Sequence, residues 1–215
     1  MIYLILLIFQ IIVLFLLSRR VQQLIFRYLL RFTKDADRAI FFFSHIFSIG
    51  TLIHELAHML TAFVLFVPVG EIDLTPRIEK ERLVLGRVHV GNTDGLRKII
   101  IGIAPLLFGL AVIILSIYFF LKLHLMNQWW ALPALTYLVF GVGNTMFLSK
   151  KDLEGFRVLL VILLVSTLLL RVLVVAGFVS FPQEFTPSVV DFLIQTNIFL
   201  LVPVAIDVLV ILLLK

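Results

Sequence analysis

The chain has 215 residues, of which 62% are hydrophobic and 14% charged, and its mean hydropathy is +1.17. Soluble domains are about 45–50% apolar and about 25% charged, so this composition is typical of a membrane protein. The absence of cysteine excludes disulfides, thiolate metal sites and cysteine nucleophiles. The net charge of +5 is consistent with loops near anionic lipid headgroups, and we expect no nucleic-acid partner.

Long apolar blocks predict an all-α polytopic membrane protein with about six transmembrane helices. A first apolar helix, at 2–17, precedes an amphipathic helix at 21–32 that is expected to lie in the membrane interface. The other predicted spans are 39–67, 99–121, 129–148, 156–179 and 189–214. A slight excess of Lys and Arg on one side favours a cytoplasmic N-terminus, in a multi-pass protein of the cell membrane.

A polar stretch separates the second and third spans and interrupts the apolar pattern. Residues 71–78 and 83–90 alternate between apolar and polar, which predicts a short β-hairpin at about 71–90 with its turn at 79–82. The edge of this hairpin could bind a substrate segment as an added strand, or the hairpin could simply join two spans. We therefore divide the chain into an N-terminal part, a central core and a C-terminal part, at 1–38, 39–158 and 159–215.

The second span contains the sequence His54-Glu55-Leu56-Ala57-His58, an H-E-x-x-H motif. Two histidines four residues apart on a helix are separated by about 40° around its axis, so both imidazoles can reach one ion. Glu55 lies on the adjacent flank and can reach a water bound to that ion, the arrangement typical of zinc metallohydrolases. Three ionisable groups in one turn at membrane depth are costly unless they are paired or coordinated, which favours a functional role.

A tetrahedral zinc ion needs one more protein ligand besides the two histidines. Without cysteine, the candidates are Asp, Glu or another His. His45 should point away, because it lies about 180° around the helix from His54. His89 and His124 are expected at the surface. Among the carboxylates, Asp152 directly follows the fourth span.

The H-E-x-x-H helix is followed by a β-rich loop, by Gly102-Ile103-Ala104-Pro105, and by Asn144 eight residues before Asp152. In these features the chain resembles the site-2 protease family of intramembrane zinc metalloproteases, over about residues 40–158. The resemblance implies a compact member without a PDZ domain. It also implies one Zn²⁺ per chain on His54, His58 and Asp152, with Glu55 as general base and Asn144 binding or orienting substrate.

We therefore expect a zinc metalloendopeptidase that cleaves transmembrane protein substrates within the lipid bilayer; the sequence does not indicate an oligomeric state. One alternative is a catalytically inactive pseudoprotease, or a zinc-binding scaffold or transporter, because the last spans carry further polar residues. Another is a zinc-dependent amide or ester hydrolase acting on lipids. Arg171 and Asn197 fall at similar depths and predict a polar contact between the last two spans, whereas Asp207 has no assigned partner.

Overall fold

The computed structural model describes most of the chain. It covers residues 2–79, 82–147 and 187–214, together with positions 158, 161–162, 164–166, 168–169, 172–173 and 175–177. Most of these residues are helical, and the strands among them form one hairpin. The predicted helical architecture with a small β-hairpin is therefore confirmed, whereas the count of six spans is not.

The first helix, α1, runs without a break over Ile2–Thr33. The prediction of separate helices at 2–17 and 21–32 is therefore wrong. The buried side chains of α1 recur at helical spacing across the predicted break, at Leu14, Ser18, Val21 and Ile25. The Ser18 hydroxyl donates to the carbonyl of Phe15 at 2.9 Å. Because the buried stripe continues and this hydroxyl is satisfied, nothing interrupts the helix.

The predicted second span is divided into two helices, α2 (Ala36–Ile46) and α3 (Ser48–Val64). They meet at Phe47 with a bend of 69°, the geometry of a broken span or a re-entrant loop. The Phe47 side chain is fully buried at the bend, where its ring packs against Phe43. The bend places the H-E-x-x-H motif entirely on α3.

The predicted β-hairpin is confirmed, but each of its two arms is divided into two short strands. Strand β1 (Val69–Asp73) pairs antiparallel with β4 (Arg87–Val90). Strand β2 (Arg77–Glu79) pairs antiparallel with β3 (Arg82–Val84), so that Glu79 lies opposite Arg82. Between β3 and β4 the chain passes through Leu85, which is buried against α1 and α2.

Three further helices complete the described fold: α4 (Gly95–Lys122), α5 (Ala131–Thr145) and α6 (Pro187–Leu213). Asp94 caps α4 by accepting a hydrogen bond from the Arg97 backbone N–H at 3.0 Å, and this contact lowers the pKa of its carboxyl group. Among the described residues, α1, α4 and α6 are long and apolar enough to cross a membrane. The bent pair α2–α3 makes a fourth candidate.

The other two predicted spans do not add to this number. Helix α5 has 15 residues, fewer than the predicted block at 129–148. A helix this short falls below the roughly 17 residues needed to cross the hydrocarbon core. The predicted fifth span at 156–179 is described only in part, and Arg171 lies outside the described residues.

The central core is built by α1, α4, α5 and α6. Its buried members include Leu14, Leu106, Ile113, Val139, Val142 and Leu200. Helices α1 and α6 also share polar contacts: the Asn197 side-chain amide donates to the Tyr3 carbonyl at 3.0 Å, and Gln10 donates to the Asn197 carbonyl at 3.1 Å. Among the described residues, the interhelical polar contacts of Asn197 are therefore with α1, and its predicted partner Arg171 lies outside the described residues.

Helix α3 contacts α5 at the level of the backbone. A Cβ atom placed on Gly50 would overlap the carbonyl group of Gly141 and the Thr145 hydroxyl. Small residues of this kind allow membrane helices to approach closely and pack. The position of α3, and with it the H-E-x-x-H motif, therefore depends on the absence of a side chain at Gly50.

The variant Gly50→Ala is expected to lower the thermal unfolding midpoint of the detergent-purified protein. The added methyl group must separate α3 from α5, and overpacking of this kind costs about 1–3 kcal/mol. The control is Gly95→Ala, where a Cβ meets nothing within 4 Å. Equal midpoints for the two variants would contradict the close contact between α3 and α5.

Candidate metal centre

The three polar residues of the motif lie on the inner side of α3. His54 and Glu55 are almost completely buried, with 3% and 5% of their surface exposed, and His58 is half-buried. Polar groups in such a place need partners inside the protein, because lipid offers none. The burial of this cluster is therefore consistent with a site rather than with a solvated helix face.

The two imidazole rings converge through their Nε2 atoms. The distance from His54 Nε2 to His58 Nε2 is 3.2 Å, and the ring planes are nearly perpendicular, at 84°. Two nitrogens bound to one tetrahedral zinc at about 2.0–2.1 Å are separated by roughly 3.3 Å. The pair therefore fits a zinc ion, although the same distance also allows an N–H···N hydrogen bond between the rings.

The other nitrogen of His58 determines its tautomer. His58 Nδ1 lies 2.9 Å from the backbone carbonyl oxygen of Ile101 in α4. A carbonyl oxygen only accepts, so Nδ1 must carry the proton and donate it. In the neutral ring the lone pair then lies on Nε2, facing His54. Metal-binding histidines are oriented in this way by a backbone carbonyl or a carboxylate.

The β-hairpin covers the side of α3 that carries Glu55. A Cβ atom on Gly86 would lie 2.9 Å from Thr51 Cγ2 and 3.2 Å from Glu55 Oε1. The backbone of Gly86 does not have a positive φ. Glycine is required at this position because a larger side chain would not fit. The neighbouring Leu85 is 5% exposed and fixes this part of the hairpin in the core. On this flank, the hairpin backbone at Gly86 therefore lies next to the predicted general base.

Asn144, at the end of α5, is 1% exposed. Its side-chain amide donates to Asp207 Oδ1 at 2.7 Å and to the Phe140 carbonyl at 3.0 Å. Gln22 in α1 donates to the Asn144 carbonyl. This buried group ties α1, α5 and α6 together, and it supplies the partner of Asp207 that the sequence did not identify.

Both amide N–H groups of Asn144 are thus used inside the protein. Within the described part of the chain, its Oδ1 atom and Asp207 Oδ2 are buried without a hydrogen-bond partner. The predicted role of Asn144 in substrate binding stays a prediction. The Asn144 side chain joins α5 to α6, and its backbone carbonyl accepts the bond from α1.

The predicted third ligand, Asp152, lies outside the described residues. Among residues 2–79, 82–147 and 187–214 no group of three His, Asp or Glu side chains is placed to hold one ion. The structure therefore describes two of the three predicted ligands, and Asp152 and the metal site itself stay predictions.

The remaining histidines lie away from this pair. His45 is exposed on α2, where its Nδ1 contacts the Phe41 carbonyl oxygen at 2.8 Å, and His89 and His124 are also exposed. The expected surface positions of His89 and His124 are thus confirmed, whereas His45 lies on a different helix from His54 and not on the opposite face of the same helix.

Sequence reasoning missed two groups that contact the motif directly. The contact with the Ile101 carbonyl cannot be predicted from residue type, because every residue has a backbone carbonyl. Gly86 is a glycine between strand residues, a pattern that often marks a close backbone approach, but its partner cannot be identified from the sequence.

No known family model, curated protein or solved structure matches this chain. The likeness to site-2 proteases therefore rests on the residues quoted above, namely the H-E-x-x-H helix, the glycine–proline segment of α4, and the pair Asn144 and Asp152. It remains a resemblance in motif and spacing.

The variant Gly86→Ala is expected to loosen the hairpin from α3. Its methyl group would press on Thr51 and Glu55, so amide hydrogen exchange at 85–90 should become about tenfold faster or more. Adding Thr51→Ser removes the Cγ2 atom and should restore part of the protection. Unchanged exchange in Gly86→Ala would show that the hairpin does not pack as closely as described.

Proposed function

We propose that this protein is an intramembrane zinc metalloprotease that hydrolyses peptide bonds in or near transmembrane segments of other proteins. The observation that carries the proposal is the convergence of two imidazole Nε2 atoms, 3.2 Å apart, beside a buried glutamate on an apolar helix. An ordinary structural pair of histidines would not require the adjacent carboxylate.

In this proposal each residue of the site has a separate task. His54 and His58 hold one Zn²⁺ through Nε2, and Asp152 completes the ligand set, as the family resemblance implies. The ion supplies Lewis-acid polarisation of water and of the peptide carbonyl. Glu55 accepts the proton of the attacking water and returns it to the leaving amine, because no other carboxylate of the motif is available.

The position of the site suits substrates that are themselves embedded in a membrane. The motif lies on the bent pair α2–α3, which has the length and apolarity of a broken span, in a protein with three longer apolar helices. We infer a multi-pass protein of the cell membrane whose partners are transmembrane proteins and the bilayer. Proteases that act on soluble proteins do not need such surroundings.

The hairpin offers a way to hold a substrate strand. Strands β1 and β4 each have one partner among the described residues, which leaves an outer edge of N–H and C=O groups on each. An extended peptide can add to such an edge as a further strand. Gly86 lies next to Glu55 and directly precedes β4. A peptide paired with the start of β4 would therefore pass close to the general base.

The first test is the metal content of detergent-purified protein by elemental analysis. We expect about one zinc per chain in the wild type, and loss of zinc in both His54→Ala and Asp152→Ala. The matched control is His45→Ala, which removes an exposed histidine outside the site and should leave zinc bound. Zinc retained in Asp152→Ala would assign the third ligand elsewhere. No zinc in any sample after supplementation would favour a pseudoprotease.

The second test separates zinc binding from catalysis. Glu55→Gln keeps the size of the side chain but removes the base, so cleavage of single-span transmembrane peptides should fall by about 10²–10⁴-fold while zinc stays bound. Fluorescent peptides in detergent micelles report cleavage directly. Unchanged cleavage would reject Glu55 as the base. Wild-type protein that binds zinc but cleaves no peptide would favour a scaffold, a transporter or a lipid hydrolase.

A further inference from the structure

Helix α4 contains a buried proline, Pro105, within its long apolar run. A residue in a helix normally donates its N–H to the carbonyl four residues earlier. Proline has no N–H, and its ring pushes that carbonyl away from the helix axis. The carbonyl affected by Pro105 is that of Ile101.

The Ile101 carbonyl is the group that His58 contacts. His58 Nδ1 donates to this oxygen at 2.9 Å across the interface between α3 and α4. In an apolar bundle a carbonyl without its helical partner carries a cost until another donor reaches it. The imidazole N–H satisfies that carbonyl, and the carbonyl in turn fixes the ring.

We propose that Pro105 is a positioning residue for His58. By removing the competing N–H, it turns the Ile101 carbonyl towards α3 and holds His58 in the Nδ1–H tautomer. The Nε2 lone pair is then directed at the position where the two imidazoles converge. The effect on metal binding rests on the proposed function, whereas the effect on the tautomer can be measured in the metal-free protein.

A second proline provides an internal comparison. Pro203 lies inside α6 in the same way, and it affects the carbonyl of Phe199. No described side chain donates to that carbonyl. Replacing either proline restores one backbone N–H inside a membrane helix. In α4, this N–H competes with His58 for the Ile101 carbonyl, whereas in α6 no histidine of the motif is involved.

The decisive experiment is ¹⁵N NMR of histidine-labelled, metal-free protein, since the two ring nitrogens distinguish the tautomers. The chain has five histidines, so His58 can be assigned by comparison with His58→Gln. We expect the Nδ1–H form in the wild type and in Pro203→Ala. In Pro105→Ala the restored N–H competes for the Ile101 carbonyl, and the Nε2–H form should gain population.

Zinc affinity gives an independent readout. Loss of the group that orients a metal-bound histidine typically weakens binding about 10–100-fold, and we expect this range for Pro105→Ala. Pro203→Ala should bind zinc with the affinity of the wild type. Cobalt substitution gives a further signature, because a displaced His58 changes the visible absorption bands of the ion.

Two results would overturn the proposal: a wild-type His58 in the Nε2–H form, or a Pro105→Ala protein whose tautomer and zinc affinity both equal those of Pro203→Ala. Where Pro105→Ala does not fold, an Nε2–H form of His58 in the wild type would still overturn the proposal. Wild-type protein that binds no zinc would contradict the proposed function, while the tautomer of the metal-free protein would still decide the role of Pro105.

Discussion

The structure depends on one constraint, that polar groups inside an apolar bundle must find their partners within the protein. His58 donates to the Ile101 carbonyl, and Asn144 donates to Asp207. These bonds join residues that are 43 and 63 positions apart in the sequence. The requirement to satisfy a few buried polar atoms therefore selects which helices become neighbours, while the apolar residues around them supply most of the contact area.

Helix α3 is positioned on three sides by contacts of different kinds. Its start is set by the bend at Phe47, one flank lies against α5 through Gly50, and the hairpin covers another flank at Gly86. Two of these contacts need glycine because backbone approaches side chain or backbone directly. A site that must hold two imidazoles within a few tenths of an ångström of a common position gains from such rigid support.

The sequence predicted the features that depend on local periodicity. Alternation between residues 71 and 90 identified the hairpin, and the i, i+4 spacing placed His54 and His58 on one helical face. It failed where tertiary contacts decide: the break expected near Ser18 is bridged by a buried stripe, and the partner of Asp207 lies 63 residues away. Backbone groups such as the Ile101 carbonyl have no signature in residue type, so sequence reasoning could not find them.

The burial of the motif restricts how a substrate can reach it. His54 is 3% exposed and Glu55 lies under the hairpin, whereas His58, one turn further along α3, is half-buried. Under the proposed function, an extended peptide therefore approaches from the His58 end of the site. That end is bordered by the α4 segment containing Pro105. Pro105 is itself buried one turn after Ile101, so the packing of α4 against α3 and the hydrogen bond that orients His58 depend on the same turn of helix.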